Sequence, residues 1–366
     1  LIPPSLIVGR YFADKQEHID QLQAHLDAIS QDEAFAPAYY ELYYHFYFRD
    51  VNEAKKYLEK YIEYTDKTID NDYMMTDLLY ASSRNQEAID MAHRLIAQQG
   101  DHPKPRIYKL IAYSYEGLGD SVQALKYLNT YFEKEQPANY VAKDYALKAQ
   151  LLAKTQTGSR EQLVELWKNA VNLDTLPANK VEYMQHIATL YKQSGDRAKE
   201  AYWLGQAFQE RKDPSNLDIY YWGLAHYAAD QYREADSVFA LYTEEYPDHI
   251  HGHLWRAKAS AAIDTTMEQG LAVPHYSRVA EIAGKDVQAN RSLLIQAYGY
   301  IGAYHANVGK DYPSALDNFK KILELDPDNA DAFRYSEILQ KWVDAAEANG
   351  DSREEQADAG AVNDGK

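Results

Sequence analysis

The sequence contains no cysteine. That excludes disulfides, zinc–thiolate sites and thiol nucleophiles, and it fits an oxidising compartment such as a periplasm. No apolar run is long enough to span a bilayer. Basic residues are in deficit: 38 Lys and Arg stand against 56 Asp and Glu, a formal charge of −18 over 366 residues. A nucleic-acid surface needs a basic stripe and an anionic membrane needs a basic cluster, and the sequence offers neither. The Pro and Gly residues gather into no linker, and no period-two alternation lasts long enough to propose a sheet. Phenylalanine is scarce at 9 residues, yet tyrosine reaches 33.

Catalytic signatures are missing as well. There is no Gly-rich phosphate loop, no Gly-x-Ser-x-Gly elbow and no His-Glu-x-x-His pair. Acidic pairs such as Glu244-Glu245 and Glu354-Glu355 fall on solvated segments with nothing to divide their roles. The densest metal-like cluster is Asp248-His249-Ile250-His251-Gly252-His253. Alternate histidines share a face only if that segment is extended. It reads better as a solvated turn after Pro247. We therefore assign no catalytic residue, no metal and no cofactor, and expect a non-enzyme.

What the chain does have is a repeat. A small residue, usually alanine, recurs inside a helix-like segment at Ala54, Ala88, Ala124, Leu163, Ala201, Ala235, Ala272 and Ala315, most of them 34 to 39 residues apart. That spacing is the signature of stacked helical hairpins, none of which can bury its apolar stripes alone. The last unit is the clearest. Tyr298, Ile301 and His305 share one stripe with Gly302 at a close crossing, and Gly309-Lys310-Asp311 makes the turn. Ala315, Phe319 and Ile322 follow on a second helix, which Asp326-Pro327 stops. Gly223, Tyr232, Ala235, Phe239 and Pro247 form a close copy; Ala112, Tyr115, Gly119, Ala124 and Leu128 form another. Ala188, Tyr191, Gly195 and Ala201 belong to a third. The unit from Leu254 to Ala280 is irregular, with Pro274 placed in the first turn of its second helix.

This skeleton resembles the tetratricopeptide repeat over roughly residues 36–330. The resemblance implies an all-α fold, a right-handed superhelical solenoid of about eight helix-turn-helix repeats. Residues 1–34 read as an N-terminal helical segment or partial repeat, 35–329 as the array, 330–349 as a capping helix and 350–366 as a disordered acidic tail. In the cap, Phe333, Ile338, Leu339, Trp342 and Val343 are expected to cover the last hairpin, and Trp167 and Trp203 to be core or cap.

The resemblance also implies a use. First helices of such hairpins line a concave groove that takes an extended peptide or a partner's helix. Carried over by position, the groove residues are Tyr40, Tyr44 and Tyr47, Lys109 and Tyr113, Gln150, Gln185 and Lys192, and Tyr220 and Tyr227. Tyr39, Leu42 and Phe46 fall on the stripe that suits the core. Tyrosine serves such a surface with a rigid ring and a hydroxyl at low entropic cost. The expected function is a non-catalytic scaffold binding a protein or peptide, as a monomer or weak homo-oligomer. The alternative is a glycan or small-molecule binder using the same aromatic concavity. Asp120-Ser121-Val122, Asp174-Thr175-Leu176, Asp236-Ser237-Val238 and Asp264-Thr265-Thr266 resemble the O-glycosylation triplet of exported Bacteroidota proteins, and equally the Asp and Ser/Thr caps of repeat turns. With the lack of cysteine they imply a periplasmic or outer-membrane-associated protein, the alternative being cytoplasmic. The chain begins at Leu1 rather than Met, from which we expect a removed leader or a trimmed sequence.

Overall fold

Helices account for all the regular structure among the described residues, which in this computed structural model are 19–100 and 102–361, with side chains as far as 346. No helix there is long and apolar enough to cross a membrane. The chain divides into two compact units, Leu1–Leu173 and Asp174–Lys366.

The first unit opens with α1 (19–31). It continues with α2 (Ala36–Tyr47), α3 (Val51–Glu63), α4 (Ile69–Ala81), α5 (Asn85–Gln99), α6 (Arg106–Gly117), α7 (Ser121–Lys134), α8 (Ala142–Lys154) and α9 (Arg160–Leu173). From α2 onward the helices pack as four hairpins, and α4 also touches α6, so first helices of neighbouring hairpins adjoin. The second unit repeats the plan with α10 (Pro177–Gln193), α11 (Arg197–Glu210), α12 (Asn216–Ala228), α13 (Tyr232–Glu245), α14 (Ile250–Ile263), α15 (Val273–Ala283), α16 (Val287–Tyr304) and α17 (Tyr312–Leu325). Four more hairpins result, and α18 (Ala330–Ala361) packs on α17.

The repeat's small residues have one physical reason. Ala54, Ala88, Ala124, Ala201, Ala235, Ala272 and Ala315 are fully buried, and Leu163 is buried too. Most lie on second helices, where two axes pass too closely for a longer side chain. Ala272 differs, standing just before the first residue of α15, and Pro274 falls in that helix's first turn. Glycine serves the same crossings on first helices. A Cβ on Gly223 would lie 2.7 Å from Phe239, and one on Gly302 would lie 3.1 Å from the Phe319 ring.

Turn chemistry is equally regular. From the second hairpin on, each intra-hairpin turn holds a left-handed residue: Ser83, Gly119, Gln156, Gly195, Asp230, Met267 with Gly270, and Lys310. In the last turn the left-handed position is Lys310 rather than Gly309, and a π-helical turn, His305–Gly309, precedes it. Aspartates then start many of the next helices. Asp50, Asp120, Asp196 and Asp311 each accept a backbone N–H from the first turn of α3, α7, α11 and α17.

The C-terminal helix departs from the expected cap. Ala332, Ser336, Leu339 and Val343 turn toward α17, whereas Phe333, Ile338 and Trp342 are exposed. The four-three-four spacing of the first set matches one helical face, and the bulkier residues fall beside it. The helix runs on past residue 349 to Ala361, and residues 362–366, the end of the expected acidic tail, lie outside the described residues. Residues 1–18 of the expected N-terminal segment lie outside them as well.

Candidate functional site in the first unit

A concavity of about 440 Å3 opens among α4, α6 and α8, the first helices of three successive hairpins. Lys109 and Tyr113 line it, with Asp77, Tyr80, Arg106 and Lys143. One turn of α6 separates Lys109 from Tyr113, so both side chains leave the same face. Arg106 lies three residues earlier on that face.

The wall is organised around Asp144. Its carboxylate is fully buried, and Lys109 Nζ stands 2.6 Å from Oδ1. Tyr113 donates its hydroxyl to Oδ1 and Tyr131 donates to Oδ2, each at 3.3 Å. Val141 N–H donates to Oδ2 at 3.1 Å, so the carboxylate also caps α8. Burial, and then the negative Asp144, push the Tyr113 and Tyr131 phenols well above their ordinary range. Both therefore stay neutral donors. A buried carboxylate with one cation and three donors is satisfied, as burial demands.

A second pair closes the other side. Arg106 Nη1 donates to Asp77 Oδ2 at 2.7 Å. Burial raises the Asp77 carboxyl, with the Arg106 hydrogen bond opposing it. The Tyr80 ring meets Tyr113 edge-on at 6.4 Å. Lys143 is exposed and pairs with no carboxylate among the described residues. Two cations thus have internal partners and the third faces solvent, beside two tyrosines.

The other expected groove residues are not gathered with these. Tyr40 is exposed and packs its ring on Tyr61, while Tyr47 is half-buried and donates to the Asp77 carbonyl at 3.2 Å. Burial pushes the Tyr47 phenol up to about 12. Tyr44, 61% exposed, lines a separate concavity of about 290 Å3 with residues of α1 and α2. Gln150 is half-buried on α8. In the second unit, Gln185 lines a depression with residues of α10 and of the segment after α11, and Lys192 lies 5.9 Å from the Tyr221 ring. Tyr220 lines a concavity with His249 and His251 and accepts a hydrogen bond from Trp255 Nε1 at 3.1 Å. Tyr227 is half-buried against Trp255.

The histidine cluster does not form an extended run, because α14 begins at Ile250 and sets His251 and His253 at helical spacing. His249 stacks on Tyr246, and His253 Nε2 donates to the Pro247 carbonyl at 2.9 Å. Arg278 and Lys285 hold Asp248. The Asp-Ser/Thr triplets also have structural employment. Asp120 caps α7, Asp174 accepts from Leu176 N–H and Tyr183, Asp236 pairs with Arg256, and buried Asp264 accepts from Gln269 and Leu271 N–H.

Of the residues around this concavity, the sequence reading named Lys109 and Tyr113 and did not name Asp77, Tyr80, Arg106, Lys143 or Asp144. Asp144 carries a capping-box signal, since a carboxylate three residues after Val141 can return to its N–H. Its burial carries no sequence signal.

Comparison with known proteins bears on the hairpin. The family model described as a tetratricopeptide repeat matches residues 219–249, which span α12 and α13. No curated protein sequence matches the chain. Among solved structures, the C-terminal part of a TPR repeat-containing protein from Cytophaga hutchinsonii is 28% identical, with 71% of this chain and 98% of that one covered and a TM-score of 0.43. PilF of Pseudomonas aeruginosa is 14% identical, covering 63% of this chain and 99% of its own, at a TM-score of 0.41. YrrB, described as a TPR protein with an unusual peptide-binding site, is 16% identical over 52% of this chain and 94% of its own, at 0.38. The α12–α13 hairpin is thus similar in sequence to a tetratricopeptide repeat, and the hairpins around it share its buried small residue and left-handed turn.

Proposed function

We propose that the protein is a non-catalytic scaffold that holds an extended acidic segment of a partner protein in the groove of α4, α6 and α8. One observation carries this reading: Arg106, Lys109, Lys143, Tyr80 and Tyr113 converge on one concavity in a chain whose formal charge is −18. Three cations against two carboxylates, Asp77 and Asp144, leave this concavity locally positive on an otherwise acidic chain, and Lys143 is the cation open to an incoming carboxylate. Tyr80 and Tyr113 supply flat apolar area beside the cations. The internal pairs fix Arg106 and Lys109 before the ligand arrives, so little side-chain entropy is lost on binding.

The test is a titration of the full chain with fluorescent peptides of one length, Glu-rich, neutral and Lys-rich. The Glu-rich peptide should bind best, and Lys143→Glu should weaken it about three- to tenfold while leaving the helical spectrum intact. Equal binding of neutral and acidic peptides, or indifference to Lys143→Glu, would refute the reading. The envelope setting belongs to the same proposal, supported by the lack of cysteine. Cell fractionation with an antibody tests it, and recovery with cytosolic markers alone would remove it.

A further inference from the structure

The second unit has a concavity of the opposite chemistry. It occupies about 590 Å3 among α16, α17 and α18, and its only ionised lining residue among those described is Asp331. Because α18 gives Ala332, Ser336, Leu339 and Val343 to α17, the adjacent stripe is left open. That stripe presents Tyr335, Ile338 and Trp342, 42%, 38% and 48% exposed. Three large apolar residues on successive turns of one groove exceed the single exposures that need no explanation.

The opposite wall is small. Gly299 and Ala303 of α16 and Ala306 of the π-helical turn that follows line it at spacings of four and three. Gly299 has no internal reason to be glycine: a Cβ there would meet nothing closer than Ile322 Cδ1, at 3.8 Å. At Gly252 the same atom would fall 2.4 Å from Tyr242. A mid-helix glycine weakens its own helix, and here the vacated space opens onto the groove. A low wall of this kind lets another helix axis come within the ordinary packing distance of ~8–10 Å.

Length and charge identify the occupant. Asp331 and Trp342 are eleven residues apart, ~16 Å along α18, or three helical turns. The turn before α18 adds Asp326 and Asp328 to Asp331, and among the described residues Arg291 and Arg334 are the cations paired with them. Over residues 330–346 α18 carries three acidic residues, Asp331, Glu337 and Asp344, against Arg334 and Lys341. We propose that this groove seats an amphipathic helix of a partner protein, about three turns long, apolar face inward and Lys or Arg along its flanks. The site lies wholly in the second unit and stands independently of the acidic-peptide groove in the first.

The probe is a model helix with leucines at i, i+3, i+4 and i+7 and lysines on its flanks, beside a twin carrying glutamates instead. The full chain is titrated with each, following tryptophan emission, with Trp342→Phe identifying which of the five tryptophans reports. The lysine helix should bind and shift the Trp342 emission to the blue, with the glutamate twin about tenfold weaker. Ile338→Glu should abolish binding at unchanged far-UV circular dichroism. Gly299→Leu, which fills the groove rather than the core, should do the same and serves if Ile338→Glu fails to fold. Equal binding of the twins, or binding retained in both variants, overturns the proposal. Self-association of the free chain that Ile338→Glu removes, with neither helix bound, overturns it in favour of a second copy.

Discussion

Lys109 on α6 and Asp144 on α8 stand 2.6 Å apart, joining first helices of neighbouring hairpins through a carboxylate that no water reaches. The lysine keeps 28% of its side chain exposed, so the pair links the interior to the groove. Removing the cation leaves a buried charge with only three neutral donors. Lys109→Met should therefore destabilise the first unit by about 3 kcal/mol, read from urea unfolding. Adding Asp144→Asn should cost less than the two single changes summed, since both act on one network. Strict additivity would mean that the pair does not bind the two helices together.

Acid should loosen the second unit through His275. Burial first, and then Arg256 and His253 nearby, lower this imidazole from 6.5 to about 4, with Asp236 opposing. The folded form thus binds fewer protons than the unfolded chain between those values. Stability contributed by the neutral ring is present above about 6.5 and is lost as the pH falls toward 4. Unfolding midpoints of the native chain and of His275→Gln, compared at neutral and at acid pH, measure this. The variant should show the smaller loss on acidification.

Gly223 on α12 and Gly299 on α16 should respond in opposite directions. Gly223→Ala forces a methyl to 2.7 Å from Phe239 and should cost ~1–3 kcal/mol by overpacking. Gly299→Ala meets only ordinary contact at 3.8 Å and should stabilise α16 by ~0.5–1 kcal/mol. Thermal unfolding of both variants decides the matter. A destabilising Gly299→Ala would show that the α16 wall is packed from inside.

Tyr43 and Tyr44 are neighbours with opposite fates. Tyr43 is buried among Ala54, Leu58 and Leu78, and its truncation to alanine should cost ~3–5 kcal/mol. Tyr44 is largely solvated, so Tyr44→Ala should fall within ~0.5 kcal/mol of the native chain. Denaturant midpoints for the two single variants separate them directly.

The hairpin plan was legible because it is written in local signals that recur. The buried alanines, the Asp caps and the breaks between helices each act within a few residues, and repetition multiplies them. Turn residues were half legible. Gly119 and Gly195 announce a left-handed turn, but Ser83, Gln156 and Lys310 take the same conformation without a glycine to mark it. Of the groove positions carried over by register, Lys109 and Tyr113 share one concavity and several of the others line separate ones.

By itself, then, the sequence determined an all-α array of hairpins, since helix period and capping are properties of neighbouring residues. Only the tertiary structure decided which of two adjacent tyrosines is solvated, that Asp144 is buried on Lys109, and that Trp342 faces a groove instead of closing a core. Those outcomes depend on how far one helix rotates against the next. A rotation of a few tens of degrees moves a side chain from core to groove while leaving the period of its own helix unchanged.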